Sequence, residues 1–151
     1  MARALVSLIA IAVCGTALAA CGGTERSETS PGESRSAAPA FKTTTPEAIG
    51  DRVAAREVLL VDVREDEEWQ AGRAPDAVHV PLAGVEGRLD EIGERAAGRP
   101  VAFICRTGRR SAEAAQTAVD GGLDGVINVD GGMEAWAQAG LPLRPRDGEI
   151  V

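Results

Sequence analysis

The sequence has few histidine, cysteine and tyrosine side chains. It contains one histidine, His79, three cysteines and no tyrosine, and no metal-ligand cluster is visible among its residues. A Cys–His nucleophilic pair would have to use His79, and Pro81 two residues later favours a structural place for that side chain. We therefore expect neither a metal nor an organic cofactor.

The chain also lacks an excess of positive charge. Lysine and arginine total 16 against 23 acidic residues, which gives a formal net charge of −7. Nucleic-acid binding depends on clustered cations that contact phosphates, so we exclude DNA and RNA as partners. Arg106, Arg109 and Arg110 are a local exception, and they predict a small anion site instead.

The N-terminal region has no apolar run long enough for a membrane span. Residues 4–13 are almost wholly apolar, but a span needs about twenty such residues. Arg3 before this run and small residues after it give the three-part layout of a signal peptide over residues 1–20. Leu18-Ala19-Ala20-Cys21 resembles the lipobox of bacterial lipoproteins. This resemblance implies that Cys21 is lipidated and becomes the mature N-terminus.

The composition then divides the rest of the chain into three parts. Residues 21–41 combine the lipidated cysteine with a segment rich in Gly, Ser, Thr, Glu and Pro, which predicts a flexible tether. Residues 42–145 form one domain of ordinary size, and residues 146–151 a C-terminal tail. The anchor would hold this domain at the extracytoplasmic face of a bacterial membrane, in the periplasm or at the cell surface.

Only one cysteine is left for chemistry in the folded part. Cys14 lies in the predicted signal peptide and Cys21 would carry lipid, so Cys105 has no cysteine partner for an intramolecular disulfide. An unpaired thiol in an exported protein suggests a reactive role.

Short apolar runs alternate with helical spacing along the domain. Strands are predicted from buried-type apolar runs at residues 58–63, 77–80, 101–104 and 125–129. Helices are predicted from capping residues, spacing and terminal glycines at residues 46–56, 65–70, 84–97, 111–119 and 133–139. The alternation predicts an α/β fold with a small, largely parallel sheet flanked by helices.

Cys105 ends one of these strands and opens an arginine-rich loop, Cys105-Arg106-Thr107-Gly108-Arg109-Arg110-Ser111, which leads into a helix. Guanidinium groups and a helix N-terminus both favour the thiolate, the nucleophilic form of cysteine. The opposing interpretation is a small core cysteine without chemistry. Three nearby arginines and the turn at Gly108 favour the reactive interpretation. Asp62 and Arg64 follow an earlier strand, so they are expected at the same sheet edge.

Three separated segments of the domain resemble the single-domain rhodanese family of sulfurtransferases. The first, residues 60–82, carries Asp62-Val63-Arg64 and Glu68-Trp69. The second is the loop 105–111, with cysteine first, glycine fourth and arginine sixth. The third, residues 130–142, begins Asp130-Gly131-Gly132-Met133-Glu134-Ala135-Trp136. The resemblance implies a rhodanese-like fold over nearly all of residues 60–142.

The chain departs from the family pattern at three positions in the first segment. Arg73 replaces the usual histidine, Asp76 replaces a glycine, and His79 stands where asparagine is common. These changes affect local hydrogen bonding and turn shape, and they leave the nucleophile in place. Trp69 and Trp136 are expected in the core.

Loop length separates two chemistries that occur on this fold. Related dual-specificity phosphatases have an arginine six positions after the cysteine. Here that position is Ser111, and Ile104 replaces the histidine that precedes the phosphatase cysteine. The shorter loop makes a smaller cradle, so we expect no phosphatase activity.

The resemblance implies sulfur transfer through Cys105. Its thiolate would take the outer sulfur of a small anionic donor such as thiosulfate and pass it, as a persulfide, to cyanide or a thiol. The N–H groups of residues 106–110 would stabilise the persulfide, and the loop arginines would orient the donor. Asp62, Arg64 and Ser111 would support the loop. Two alternatives stay open: a lipid-tethered binding module without catalysis, and a thiol-relay module with a thiol-protein partner.

Overall fold

A computed structural model describes residues 40–151, and the predicted signal peptide, Cys21 and nearly all of the tether lie outside this range. Strands and helices alternate along the described chain. The strands are β1 (Lys42–Thr44), β2 (Leu59–Asp62), β3 (Val78–His79), β4 (Val101–Ile104) and β5 (Val126–Val129). The helices are α1 (Pro46–Ala54), α2 (Asp66–Ala71), α3 (Leu89–Ala96), α4 (Arg109–Asp120) and α5 (Gly132–Gln138).

The strands form one five-stranded sheet in the order β1-β5-β4-β2-β3, and every neighbouring pair is parallel. All residues of β2, β4 and β5 are buried, as expected for aliphatic strands covered on both faces. In a parallel sheet all strands end at the same edge, so the segment after central β4 lies between those after β2 and β5.

Two apolar clusters cover the two faces of the sheet. On one face, small alanines of α4 and Ile92 of α3 pack against Val61 and Phe103. On the other face, Met133 and Trp136 of α5 pack with residues of α1 against Leu60 and Ile104. The predicted α/β fold is therefore confirmed. None of the helices in residues 40–151 is both long enough and apolar enough to cross a membrane.

Two local predictions were incomplete or wrong. β1 was not predicted, because Lys42–Thr44 is an exposed edge strand without the apolar run of the central strands. The helix predicted for residues 84–97 begins late. Two 3-10 turns, Leu82–Gly84 and Glu86–Arg88, precede α3. Glycines at 84 and 87 disfavour an α-helix there, and burial of Val85 draws this segment onto the core instead.

The C-terminal segment folds back over the chain that follows α2. Arg73 and Arg144 exchange two backbone hydrogen bonds of 3.0 and 2.8 Å, and the Glu149 N–H donates to the Ala71 carbonyl at 3.1 Å. Ile150 packs against the cluster that contains Trp136. The predicted tail, residues 146–151, is thus packed against the domain.

Candidate active site

Cys105 follows the last residue of β4, at the centre of the carboxyl edge of the sheet. Its side chain is buried, and the sulfur accepts a hydrogen bond of 3.1 Å from the Gly108 N–H. Gly108 precedes α4 with a φ of +104°, a conformation that favours glycine. A Cβ at this position would lie 2.8 Å from an Asp130 carboxylate oxygen. The turn therefore requires glycine, and it points a backbone donor at the thiol.

Ser111 is a second polar contact of the sulfur. Its hydroxyl oxygen lies 3.5 Å from the Cys105 sulfur, 3.0 Å from the Gly108 carbonyl and 2.7 Å from the Asn128 amide oxygen. A hydroxyl has one proton, so it donates to one of these acceptors at a time. Ser111, predicted as a support, is fully buried behind the sulfur.

Asn128 is a site residue that the sequence analysis missed. It lies on β5 between Ile127 and Val129, and it is buried. A buried amide needs hydrogen-bond partners, so a lone asparagine inside an apolar strand was the available signal. Its partner is the Ser111 hydroxyl, which also lies next to the Cys105 sulfur. Asn128 is therefore linked to the nucleophile through Ser111.

The start of α5 holds the backbone of the loop. The Met133 N–H donates to the Cys105 carbonyl at 2.8 Å, and the Glu134 N–H donates to the Arg106 carbonyl at 3.1 Å. Gly132 permits this approach, because a Cβ there would overlap both carbonyl oxygens. The first two peptide carbonyls of the loop are thereby fixed.

Two of the three loop arginines are paired with carboxylates. Arg110 donates to both oxygens of Glu68, at 2.7 and 2.6 Å, and both side chains are mostly buried. Arg106 donates to Glu134 at 2.8 Å near the surface. Within residues 40–151, Arg109 has no carboxylate partner, and it is exposed beside exposed Thr107. The sequence predicts that the loop arginines orient an anionic donor, and the structure shows that two of the three are already paired with carboxylates.

The Glu68–Arg110 pair shifts the pKa of both groups. The hydrogen bonds from Arg110 lower the pKa of the Glu68 carboxyl below its ordinary value, and burial opposes this in part. The same hydrogen bonds raise the pKa of Arg110, and a negative charge on Cys105 acts in the same direction. Arg110 therefore keeps its positive charge, and its guanidinium is already hydrogen-bonded to Glu68.

Comparison with known proteins identifies the family. The sequence profile of the rhodanese-like domain matches residues 45–139. This match covers every helix and strand from α1 to α5, together with the Cys105 loop. The chain belongs to the rhodanese-like domain family.

Individual relatives agree with this assignment. The chain is 38% identical over 103 residues to a sulfurtransferase of Allochromatium vinosum, and the match covers 68% of this chain and 94% of that protein. A rhodanese-like domain protein from Staphylococcus aureus superposes with a TM-score of 0.57 at 30% identity, over 64% of this chain and 91% of that one. A thiosulfate sulfurtransferase from Pseudomonas aeruginosa gives a TM-score of 0.63 at 24% identity, over 73% of this chain and 21% of that one, which shows likeness of fold.

Asp62 and Arg64 form a buried ion pair where β2 ends. Both side chains are fully buried, and Arg64 donates to both carboxylate oxygens, at 3.1 Å or less. Arg64 also donates to the Gly72 carbonyl at 2.6 Å. These bonds tie the end of β2 to the end of α2. The pair therefore holds the segment between β2 and the end of α2, and its support of the Cys105 loop stays a prediction.

Two of the three departures from the family pattern, Arg73 and His79, pack against the Trp69 ring of α2. Trp69 lies parallel to the His79 ring at 4.7 Å, and the Arg73 guanidinium lies 5.0 Å from the Trp69 ring centre. His79 is also 2.7 Å from the Arg64 carbonyl oxygen, so its place is structural. Trp69 is half-buried in this stack and belongs to neither apolar cluster, so the prediction that it lies in the core was wrong. Asp76 adopts a φ of +60°, a backbone conformation that favours glycine.

Trp136 is almost fully buried, and its indole N–H donates to the Pro142 carbonyl at 2.9 Å. It belongs to the core, as predicted. Among residues 40–151, no group of three or more His, Cys, Asp or Glu side chains is arranged to hold a metal ion.

Proposed function

We propose that the domain is a sulfurtransferase with Cys105 as its nucleophile. The Cys105 thiolate attacks the outer sulfur of thiosulfate, a new S–S bond forms, and the bond to the SO₃ group breaks with its electron pair on the departing sulfite. The enzyme then carries a persulfide anion. Cyanide or a thiolate attacks the outer sulfur of the persulfide, takes it away as thiocyanate or a new persulfide, and regenerates the Cys105 thiolate.

The hydrogen bond from Gly108 to the Cys105 sulfur is the observation that carries this proposal. A backbone N–H at the start of a twelve-residue helix stabilises negative charge, and Ser111 adds a hydroxyl beside the same atom. Such donors can stabilise the negative charge of the attacking sulfur and, after the first step, of the persulfide. The name of the A. vinosum relative, a sulfurtransferase, supports the same chemistry.

A sulfur-transfer assay on the full-length chain tests the proposal. The protein should convert thiosulfate and cyanide to thiocyanate, and thiosulfate alone should add the mass of one sulfur atom to the protein. Cys105→Ser should lose both signals while keeping the fold. Absence of both in the unaltered protein would overturn the proposal. A partner that still binds Cys105→Ser would then favour a binding module, and Cys105 mixed disulfides a thiol relay.

We also propose that the domain is a lipoprotein at the extracytoplasmic face of a bacterial membrane. The support is the lipobox-like sequence at residues 18–21 and the signal-peptide layout before it. In cells given an alkyne-tagged fatty acid, the protein should incorporate label, and Cys21→Ser should lose it. Cys14→Ser is the matched control, and it should stay labelled. Label retained in Cys21→Ser would contradict the proposal.

A further inference from the structure

Three carboxylates lie at the Cys105 loop, and two of them pair with its arginines. Glu68 occupies Arg110 and Glu134 occupies Arg106, while an Asp130 carboxylate oxygen lies close to Gly108. Of these three acids, Glu68 is mostly buried and also accepts from the Glu65 N–H at the start of α2, so it belongs to the framework. Glu134 is the carboxylate at the loop that is both exposed and paired.

Glu134 is fixed against the residue next to the nucleophile by two contacts. Its N–H donates to the Arg106 carbonyl, and its carboxylate accepts from the Arg106 guanidinium. The Glu134 side chain is 39% exposed and the Arg106 side chain 52%, so both charges can interact with an anion in solution. A donor that approaches Cys105 therefore meets the negative charge of Glu134 together with the positive charge of Arg106.

We propose that Glu134 is a specificity-determining residue that disfavours multiply charged sulfur donors at Cys105. The inference rests on the proposed sulfur transfer and concerns its donor. Coulomb energy scales with the product of the charges, so one carboxylate repels a dianion twice as strongly as a monoanion at the same place. Glu134 thus lowers the reactivity of thiosulfate relative to a singly charged donor with the same sulfane sulfur.

Thiosulfate and methanethiosulfonate are a suitable pair of donors. Both carry a terminal sulfur on an oxidised sulfur atom, and a methyl group replaces one charged oxygen in the second. The Cys105 thiolate takes the terminal sulfur from either one, forms the same persulfide, and releases sulfite dianion or methanesulfinate monoanion with the electron pair of the broken bond.

The test compares kcat/KM for both donors, with cyanide as acceptor, in the full-length chain and in Glu134→Gln. The variant should gain about fivefold with thiosulfate and about twofold with methanethiosulfonate, mainly through KM. The gain should shrink at high salt, because an exposed charge is screened. Glu94→Gln is the matched control. Glu94 is an exposed acid of α3, the helix that leads to the opposite edge of the sheet, and both donors should be unaffected.

A charge-restoring variant separates electrostatics from altered loop structure. Arg106→Gln combined with Glu134→Gln removes one charge of each sign, so its ratio of thiosulfate to methanethiosulfonate activity should return toward that of the unaltered protein. Equal changes for both donors, or no change in Glu134→Gln, would overturn the role of Glu134. Failure of both donors to form a Cys105 persulfide in the unaltered protein would instead overturn the proposed function.

Discussion

Glu68 and Arg110 join α2 to the first turn of α4 through two hydrogen bonds of 2.6 and 2.7 Å. The pair holds Arg110, the last arginine of the Cys105 loop, against α2, which lies about forty residues earlier in the chain. The ion pair is bidentate, because both carboxylate oxygens accept from the guanidinium, and this is the stronger form of such a pair. Arg110 therefore holds the loop against α2, and its guanidinium is already hydrogen-bonded to a carboxylate.

Glu68→Gln should reduce stability in a pH-dependent way. Because Arg110 lowers the pKa of Glu68 in the folded protein, the pair stabilises the fold above the ordinary value of 4.5, and this contribution is lost as pH falls through the lowered value. We expect a loss of about 1 kcal/mol in the free energy of unfolding at neutral pH. Urea unfolding at neutral and acid pH measures it. If the variant lost the same free energy of unfolding at neutral and at acid pH, this account would be contradicted.

Ser111→Ala should slow sulfur transfer without unfolding the domain. The hydroxyl touches the Cys105 sulfur, and a missing donor to a developing anion lowers kcat; we expect about tenfold at this long distance. Thr117→Ala, two turns further along α4, removes a hydroxyl that bonds only to the Glu113 carbonyl, and activity should be retained. Equal kcat values for the two variants would show that Ser111 has no part in turnover.

Gly132→Ala should be far more damaging than Gly140→Ala. Both glycines have positive φ, +55° and +70°, so both variants carry the backbone strain of about 1 kcal/mol. At Gly140 a Cβ has nothing within 4 Å, whereas at Gly132 it overlaps the carbonyls of Cys105 and Arg106. We expect a loss of about 3 kcal/mol in unfolding free energy for Gly132→Ala. Thermal unfolding of the two variants gives the comparison, and equal costs would exclude the steric explanation.

A chain that stops at residue 139, where the family match ends, should be strongly destabilised. It loses the Pro142 acceptor of the Trp136 indole, the paired backbone of Arg144, and the packing of Leu141 and Leu143. Burial of such side chains is worth about 3 kcal/mol together. A chain that stops at residue 150 lacks only an exposed valine and serves as control. Equal unfolding midpoints for the two would show that the segment is dispensable.

The sequence was most informative where one segment carried its own pattern. The apolar runs at β2, β4 and β5 and the glycine of the Cys105 turn are local features, so strands and the position of the thiol could be predicted from them. The carboxylate partners could not be predicted, because Glu68 lies 42 positions from Arg110 and Arg106 lies 28 positions from Glu134. Exposed β1 was missed because it has no apolar run, and the role of Asn128 was missed because its partner Ser111 lies 17 positions away on α4.

Two backbone amides of α5 donate hydrogen bonds to the loop carbonyls, so their signals report on the conformation of the loop. The N–H groups of Met133 and Glu134 point at Cys105 and Arg106, so their nuclear magnetic resonance frequencies and their exchange with deuterium depend on the loop backbone. We expect the proposed loading of Cys105 to be detectable at these two amides of a neighbouring helix, with no label on the sulfur and no acceptor present.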